Sequence, residues 1–253
     1  MCVTSAAATL NSTYVGAWEI DHPTYGYRHV MAYQNAPQNL AEGANCMLLH
    51  VPAAAPLLPE HLLDTADCPD LLRQTYQLWM SRNTRGGLFG QSTYVVEMGV
   101  YHVVLLNEKT EDALNAALLQ IPLEKRPAIA PELLNFYVDN FPGYPLVLAC
   151  FNNRDSRNAS PILLHYQPYS TTELFFNLLE GHDGGPPVFG KNIQLHQVLI
   201  AGTQRVETWR GHPGFFEYPG VPERLLPFLP VVGEVQALHG EYPNNDALWS
   251  LLD

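Results

Sequence analysis

Val30-Met31-Ala32-Tyr33-Gln34-Asn35 is echoed far along the chain by Val147-Leu148-Ala149-Cys150-Phe151-Asn152. Both runs read as short apolar strands that end on an amide side chain. A polar loop follows each. Then comes a second apolar strand, Met47-Leu48-Leu49-His50-Val51-Pro52 in one case and Ile162-Leu163-Leu164-His165-Tyr166-Gln167-Pro168 in the other. A helical pattern follows both. This repeated order predicts two pseudo-symmetric halves, residues 1–90 and 91–202. Few connections are long enough for parallel crossovers. The expected fold is therefore α+β, with mainly antiparallel sheets flanked by helices.

Working outward, residues 15–20 and 27–33 read as strands around a turn marked by Pro23 and Gly26. Residues 69–80 read as a helix, with Leu71, Leu72, Tyr76 and Trp79 in one stripe. Residues 94–106 suggest a hairpin turning near Met98-Gly99. Thr110 caps a helix whose first turn carries Glu111 and Asp112, and a further helix starts at Pro131. Ser170-Thr171-Thr172-Glu173 has the spacing of a capping box and predicts a helix through Leu174, Phe175, Leu178 and Leu179, closed by Gly181. Residues 194–202 read as a last core strand. The core domain is thus placed at 1–202. Residues 203–253 form a proline- and aromatic-rich extension, expected to pack on the core or on a partner, with a short helix at 246–252.

The charge balance narrows the partners. The 253 residues carry 25 acidic and 13 basic side chains, a net charge of −12. No basic stripe is present to neutralise phosphates, so nucleic acid is not an expected partner. No run approaches the roughly 20 apolar residues of a membrane helix, so no membrane association is expected. The four cysteines, Cys2, Cys46, Cys68 and Cys150, include no C-x-x-C pair. They read as reduced thiols of a cytoplasmic protein. The ten histidines show neither H-x-H nor H-E-x-x-H spacing, and no glycine-rich nucleotide loop occurs. No metal and no cofactor is expected.

The sharpest chemical signal is the opening, Met1-Cys2-Val3-Thr4-Ser5-Ala6. A cysteine at position 2 is small enough for removal of the initiator methionine. The mature chain then begins with an amine and a thiol on one residue, a known route to a nucleophile that carries its own base. Gly181-His182-Asp183-Gly184-Gly185-Pro186-Pro187 follows an expected helix end, where a stiff turn would aim His182 and Asp183. The bland alternative is a C-cap glycine followed by solvated turn residues. Gln34-Asn35 and Asn152-Asn153 sit at corresponding strand ends, where an amide can donate to an oxyanion or simply form a turn. His50 and His165 lie on apolar strands and read as core histidines.

Met1-Cys2, the stretches 30–35, 45–52, 101–106 and 131–153, and Gly181 to Gly184 together resemble a family of uncharacterised proteins of bacteria and some eukaryotic microbes that also begin Met-Cys. That resemblance spans about residues 1–202 and implies no activity. The opening alone is similar to that of cysteine N-terminal-nucleophile hydrolases, the choloylglycine hydrolases and glutamine amidotransferases. The former carry an arginine near position 18, where this chain has Trp18. The latter carry glycine after the cysteine, where it has Val3.

Two functions follow as expectations. One is a cytoplasmic cysteine amide hydrolase acting on a small-molecule or peptide substrate. Cys2 is its nucleophile, its own amine or His182 the base, Asp183 the orienting group and Asn35 the oxyanion donor. The alternative is a non-enzymatic structural or interaction protein, a subunit of an assembly or a homo-oligomer, which the aromatic tail favours. Acylation of Cys2, or its use as a degradation signal, is a third and weaker reading.

Overall fold

The structure is a computed structural model that describes residues 3–83, 100–209 and 214–251. Its strands are β1 (Val3–Thr4), β2 (Ala8–His22), β3 (Gly26–Asn39), β4 (Asn45–His50), β5 (Leu62–Leu63), β6 (His102–Leu106), β7 (Leu146–Phe151), β8 (Ile162–Tyr166), β9 (Glu173–Phe176), β10 (Asn192–Thr203), β11 (Gly214–Phe215), β12 (Val232–Pro243) and β13 (Ala247–Ser250). Its helices are α1 (Leu71–Asn83), α2 (Glu111–Leu118) and α3 (Pro131–Asn140). The expected turn near Met98-Gly99 lies outside the described residues.

The strands form a four-stranded sheet, β1-β4-β7-β6, and a seven-stranded sheet, β11-β12-β10-β2-β3-β8-β5, with β13-β9 as a separate pair. Strand pairing is antiparallel except between β10 and β2. Alternation along each strand splits the apolar residues between two faces. Met31, Tyr33, Met47, Leu49, Val147, Phe151, Ile162 and Leu164 fill the space between the sheets. Leu48, Leu148 and Cys150 turn outward under Leu114, Leu118, Leu133 and Tyr137 of α2 and α3. Trp18, Val30, Ala32 and Leu163 turn outward on the larger sheet, under Leu71 and Leu72 of α1 and Phe216, Phe228 and Leu229 of the tail. The order of layers is helix, sheet, sheet, helix, an α+β fold of mainly antiparallel sheets flanked by helices.

The two echoed units exchange partners. β3 of the first pairs with β8 of the second, and β4 of the first pairs with β7 of the second. The sequence echo is one residue out of structural register on the first strands. Met31 faces Leu164, and the corresponding contact is Val147 with Leu49. Val30 therefore lies on an outer face and Val147 on an inner one.

The helix starts follow local chemistry. Thr110 Oγ1 accepts from the Ala113 N–H at 3.1 Å, and Pro131 opens α3. α1 is capped from across the fold. Gln34 Oε1 on β3 accepts from Leu72 N at 2.9 Å and Arg73 N at 3.3 Å, satisfying N–H groups of the first turn.

Two expected helices are strands. Residues 173–176 pair with residues 247–250 as β9 and β13, Leu174 facing Trp249. Ser170 Oγ accepts from Thr172 N at 3.3 Å and closes a local turn in place of a helix cap. Each segment finds its backbone partners in the other, and that ladder overrides local helical pattern. Among the described residues no helix is long and apolar enough to cross a membrane.

Candidate functional site

The turn at 181–187 is stitched to the N-terminal strand. Thr4 N donates to Gly181 O at 2.7 Å and Ala8 N to His182 O at 3.1 Å. Val3 bridges Gly181, and Ala7 bridges Asp183. Gly184 has φ 87°, and a Cβ there would sit 2.7 Å from Ser5 O, so the two backbones touch. His182 is half-buried and Asp183 exposed. Together with Pro186, Val188, Lys191 and Asn244 they line a cleft of about 250 Å³. Burial raises the pKa of Glu180 on its wall. Asn244 clamps that residue's backbone, accepting from Glu180 N and donating to Glu180 O, both at 2.8 Å.

Cys2 lies outside the described residues. Asp183 Oδ1 accepts from Gly185 N at 3.1 Å and closes its own turn. Asn35 is in the interior, away from the cleft lining. Its Oδ1 accepts from the Tyr101 hydroxyl at 2.7 Å, and its Nδ2 lies 3.8 Å from Met47 Sδ. The structure brings His182 and Asp183 to one cleft and places Asn35 between the sheets. The matching amides tie loops: Asn152 Nδ2 donates to Glu124 O at 2.8 Å and Asn153 Nδ2 to Pro37 O at 2.6 Å.

His50 is fully buried, with Nε2 2.7 Å from Asp246 Oδ2 and Nδ1 3.2 Å from Asn177 Nδ2. With both ring nitrogens engaged, it is a structural histidine. Asp246 Oδ1 also accepts from Leu178 N at 2.9 Å and Leu179 N at 3.0 Å, which fixes the start of β13. At the far end of the larger sheet Glu19 is buried under Arg205, which forms an ion pair with it. Burial alone would raise the Glu19 pKa, but hydrogen bonds from Arg205, Thr203 and Tyr27 hold it below its ordinary value. The Tyr27 hydroxyl also lies 2.9 Å from His29 Nε2. Beside the paired end of β8, Arg28, Leu57, Leu58 and His61 line a cleft of about 310 Å³.

Next to the 181–187 turn runs a ridge that sequence reading did not find. Tyr169 stacks on Tyr144 at 5.7 Å, and Tyr144 meets Phe141 at 5.9 Å. Phe141 and Phe136 both meet Phe189, at 6.2 and 5.4 Å. Val188, next in the chain, is on the cleft wall. Tyr169, Val188 and Phe189 are 58%, 59% and 42% exposed, so much of this apolar surface faces water. The residues come from three separate segments, so no periodicity marks them.

The fold and this surface define a sheet-dominated α+β protein with an aromatic ridge leading into a small cleft. No family model matches the chain. No curated protein matches it either. Among solved structures it is similar to baculovirus P35, at 11% identity and TM-score 0.48 over 82% of this chain and 68% of that one. It is also similar to a mutated baculovirus P35 after caspase cleavage, at 11% identity and TM-score 0.41 over 77% of this chain and 67% of that one. At these values neither likeness bears on what this chain does.

Proposed function

We propose that this chain is a non-enzymatic interaction protein that docks an apolar polypeptide segment on the aromatic ridge and the adjoining cleft. The observation that carries this reading is the continuity of the rings from Tyr169 to Phe189, exposed at both ends and half-buried between, with the cleft wall at Val188. Contiguous exposed aromatics of this kind typify partner surfaces, and large rigid rings supply most interface energy. A net charge of −12 favours a segment with basic flanks. The setting is cytoplasmic, which suits the unbridged thiols of Cys68 and Cys150. Both clefts, at about 250 and 310 Å³, lie at or below the lower end of the roughly 300–1,000 Å³ usual for small-molecule sites. Selection of displayed peptides tests the reading. Selected peptides should bind wild type and Arg28→Ala alike, and lose at least about tenfold in affinity to Phe189→Asp and Tyr169→Asp. Equal binding to all four proteins would remove the ridge as the docking surface.

A cysteine amide hydrolase is the second reading, favoured by the Val3–Gly181 bridge, which sets Val3 beside the turn that carries His182. Asp183 and Asn35 do not support it, since their side chains are engaged with Gly185 and Tyr101. Alkylation of Cys2 that slows in His182→Ala, together with Cys2-dependent turnover of an amide, would establish it over the docking reading.

A further inference from the structure

β10 and β12 run on past their neighbours. β2 pairs with β10 only over residues 197–203, whereas β12 pairs with it from Asn192 to Thr203. Residues 192–196 and 239–243 thus form a projecting two-stranded ribbon. Its inner face carries Leu195, in the core, and Ile193, on the cleft wall. Its outer face carries Gln194, His196, His239 and Glu241, all exposed.

His196 and His239 stand directly opposite in the ladder, with their Nδ1 atoms 3.4 Å apart. That is long for a hydrogen bond, whose usual separation is about 2.9–3.0 Å. It matches the spacing of two nitrogens on one edge of a tetrahedron with metal–nitrogen bonds of about 2.0–2.1 Å. We infer that His196 and His239 form a bis-histidine site for a divalent transition-metal ion of the zinc class, each ligating through Nδ1. The neighbouring cross-strand pair sets a carboxylate one step along the same face, where Gln194 Nε2 donates to Glu241 Oε1 at 3.3 Å and Glu241 adds attraction for a cation. Among the described residues no group of three His, Cys, Asp or Glu side chains is placed to hold a metal. The remaining positions on the ion are therefore for water, and exposure of both rings gives free access. An ion here ties the two strands at the base of the ribbon, three pairs along from Ile193 on the cleft wall.

Calorimetric titration of the tag-free full chain with zinc chloride tests this. Wild type should bind one ion per chain. Removing a ligand outright should cost at least the roughly 10–100-fold typical of losing a ligand's supporting partner, so His196→Ala and His239→Ala should each lose that much. Both positions are exposed, and circular dichroism should show both variants folded. With copper(II) in place of zinc, spin resonance should show coupling to two imidazole nitrogens. No binding by wild type at millimolar zinc, unchanged binding in either variant, or coupling to fewer than two nitrogens would each overturn the site.

Discussion

His29 and His165 are 2% and 0% exposed, and burial pushes both down to about 4. Arg205 adds to the effect on His29 against the opposing pull of Glu19, and His61 adds to it on His165. An unfolded histidine titrates near 6.5, so between about 6.5 and 4 the unfolded chain binds more protons than the folded one. Stability is then full above the upper value and is lost as pH falls toward the lower, by up to about 3 kcal/mol per histidine. Glu19, held below its ordinary value, adds loss only further into acid, as its folded carboxylate takes up a proton. Urea midpoints should fall steadily from pH 7 to pH 4.5, and His29→Gln with His165→Gln should flatten the slope. A level wild-type profile would contradict this. The sequence marked His165 as a core histidine but not its neighbours, which come from distant segments. Gln34 and Asn35 read as strand-end amides, but β3 runs on to Asn39 and both lie within it. That one caps α1 and the other bonds Tyr101 depends on which chain crosses above them.

Gly202 and Gly233 face each other across β10 and β12, where Pro230 and Phe216 press close. A Cβ at Gly233 would lie 2.0 Å from Ala201 O and 2.7 Å from Gly202 Cα, both backbone atoms that cannot swing aside. Gly233→Ala should cost at least about 2 kcal/mol in a denaturation series, by overpacking. Gly43→Ala, with nothing within 4 Å of the new Cβ, should stay within about 0.5 kcal/mol of wild type. Equal stability of the two variants would mean the strands separate more easily than their register implies. Most elements were legible. β4, β7 and β8 are continuous apolar runs, and α2 and α3 carry plain start signals. β9 and β13 were not, because a short apolar run fits either period and only the pairing partner decides. β12 was hidden for a related reason: its outward residues are polar, its inward ones few, and glycines interrupt it.

For the whole molecule, the tail is bound into the larger sheet and its outer core. β12 covers one edge of β10 along 12 residue pairs, and Phe216, Leu225, Phe228 and Leu229 pack on the sheet face. Trp18 Nε1, buried, donates to Phe228 O at 2.7 Å. Truncation after Thr203 should strip that edge, expose that face and leave the indole without its acceptor. The product should be insoluble or self-associated by sedimentation, because an uncovered edge strand is a template for other chains. A soluble monomer of unchanged melting temperature would show that residues 1–203 fold alone.

The exchange of partners between the two echoed units also bears on how the chain is made. β4 waits for β7 and β3 waits for β8, and each of those partners is encoded about a hundred residues or more later in synthesis. At roughly 5–20 residues per second, those strands spend several seconds or more on the ribosome with a bare edge. Neither sheet closes until both units have emerged, and the parallel β10 arrives later still. Such long-range pairing folds slowly. Newly made chains should therefore depend on holding chaperones more than their size alone would suggest, and the first unit expressed by itself is the fragment most prone to aggregate.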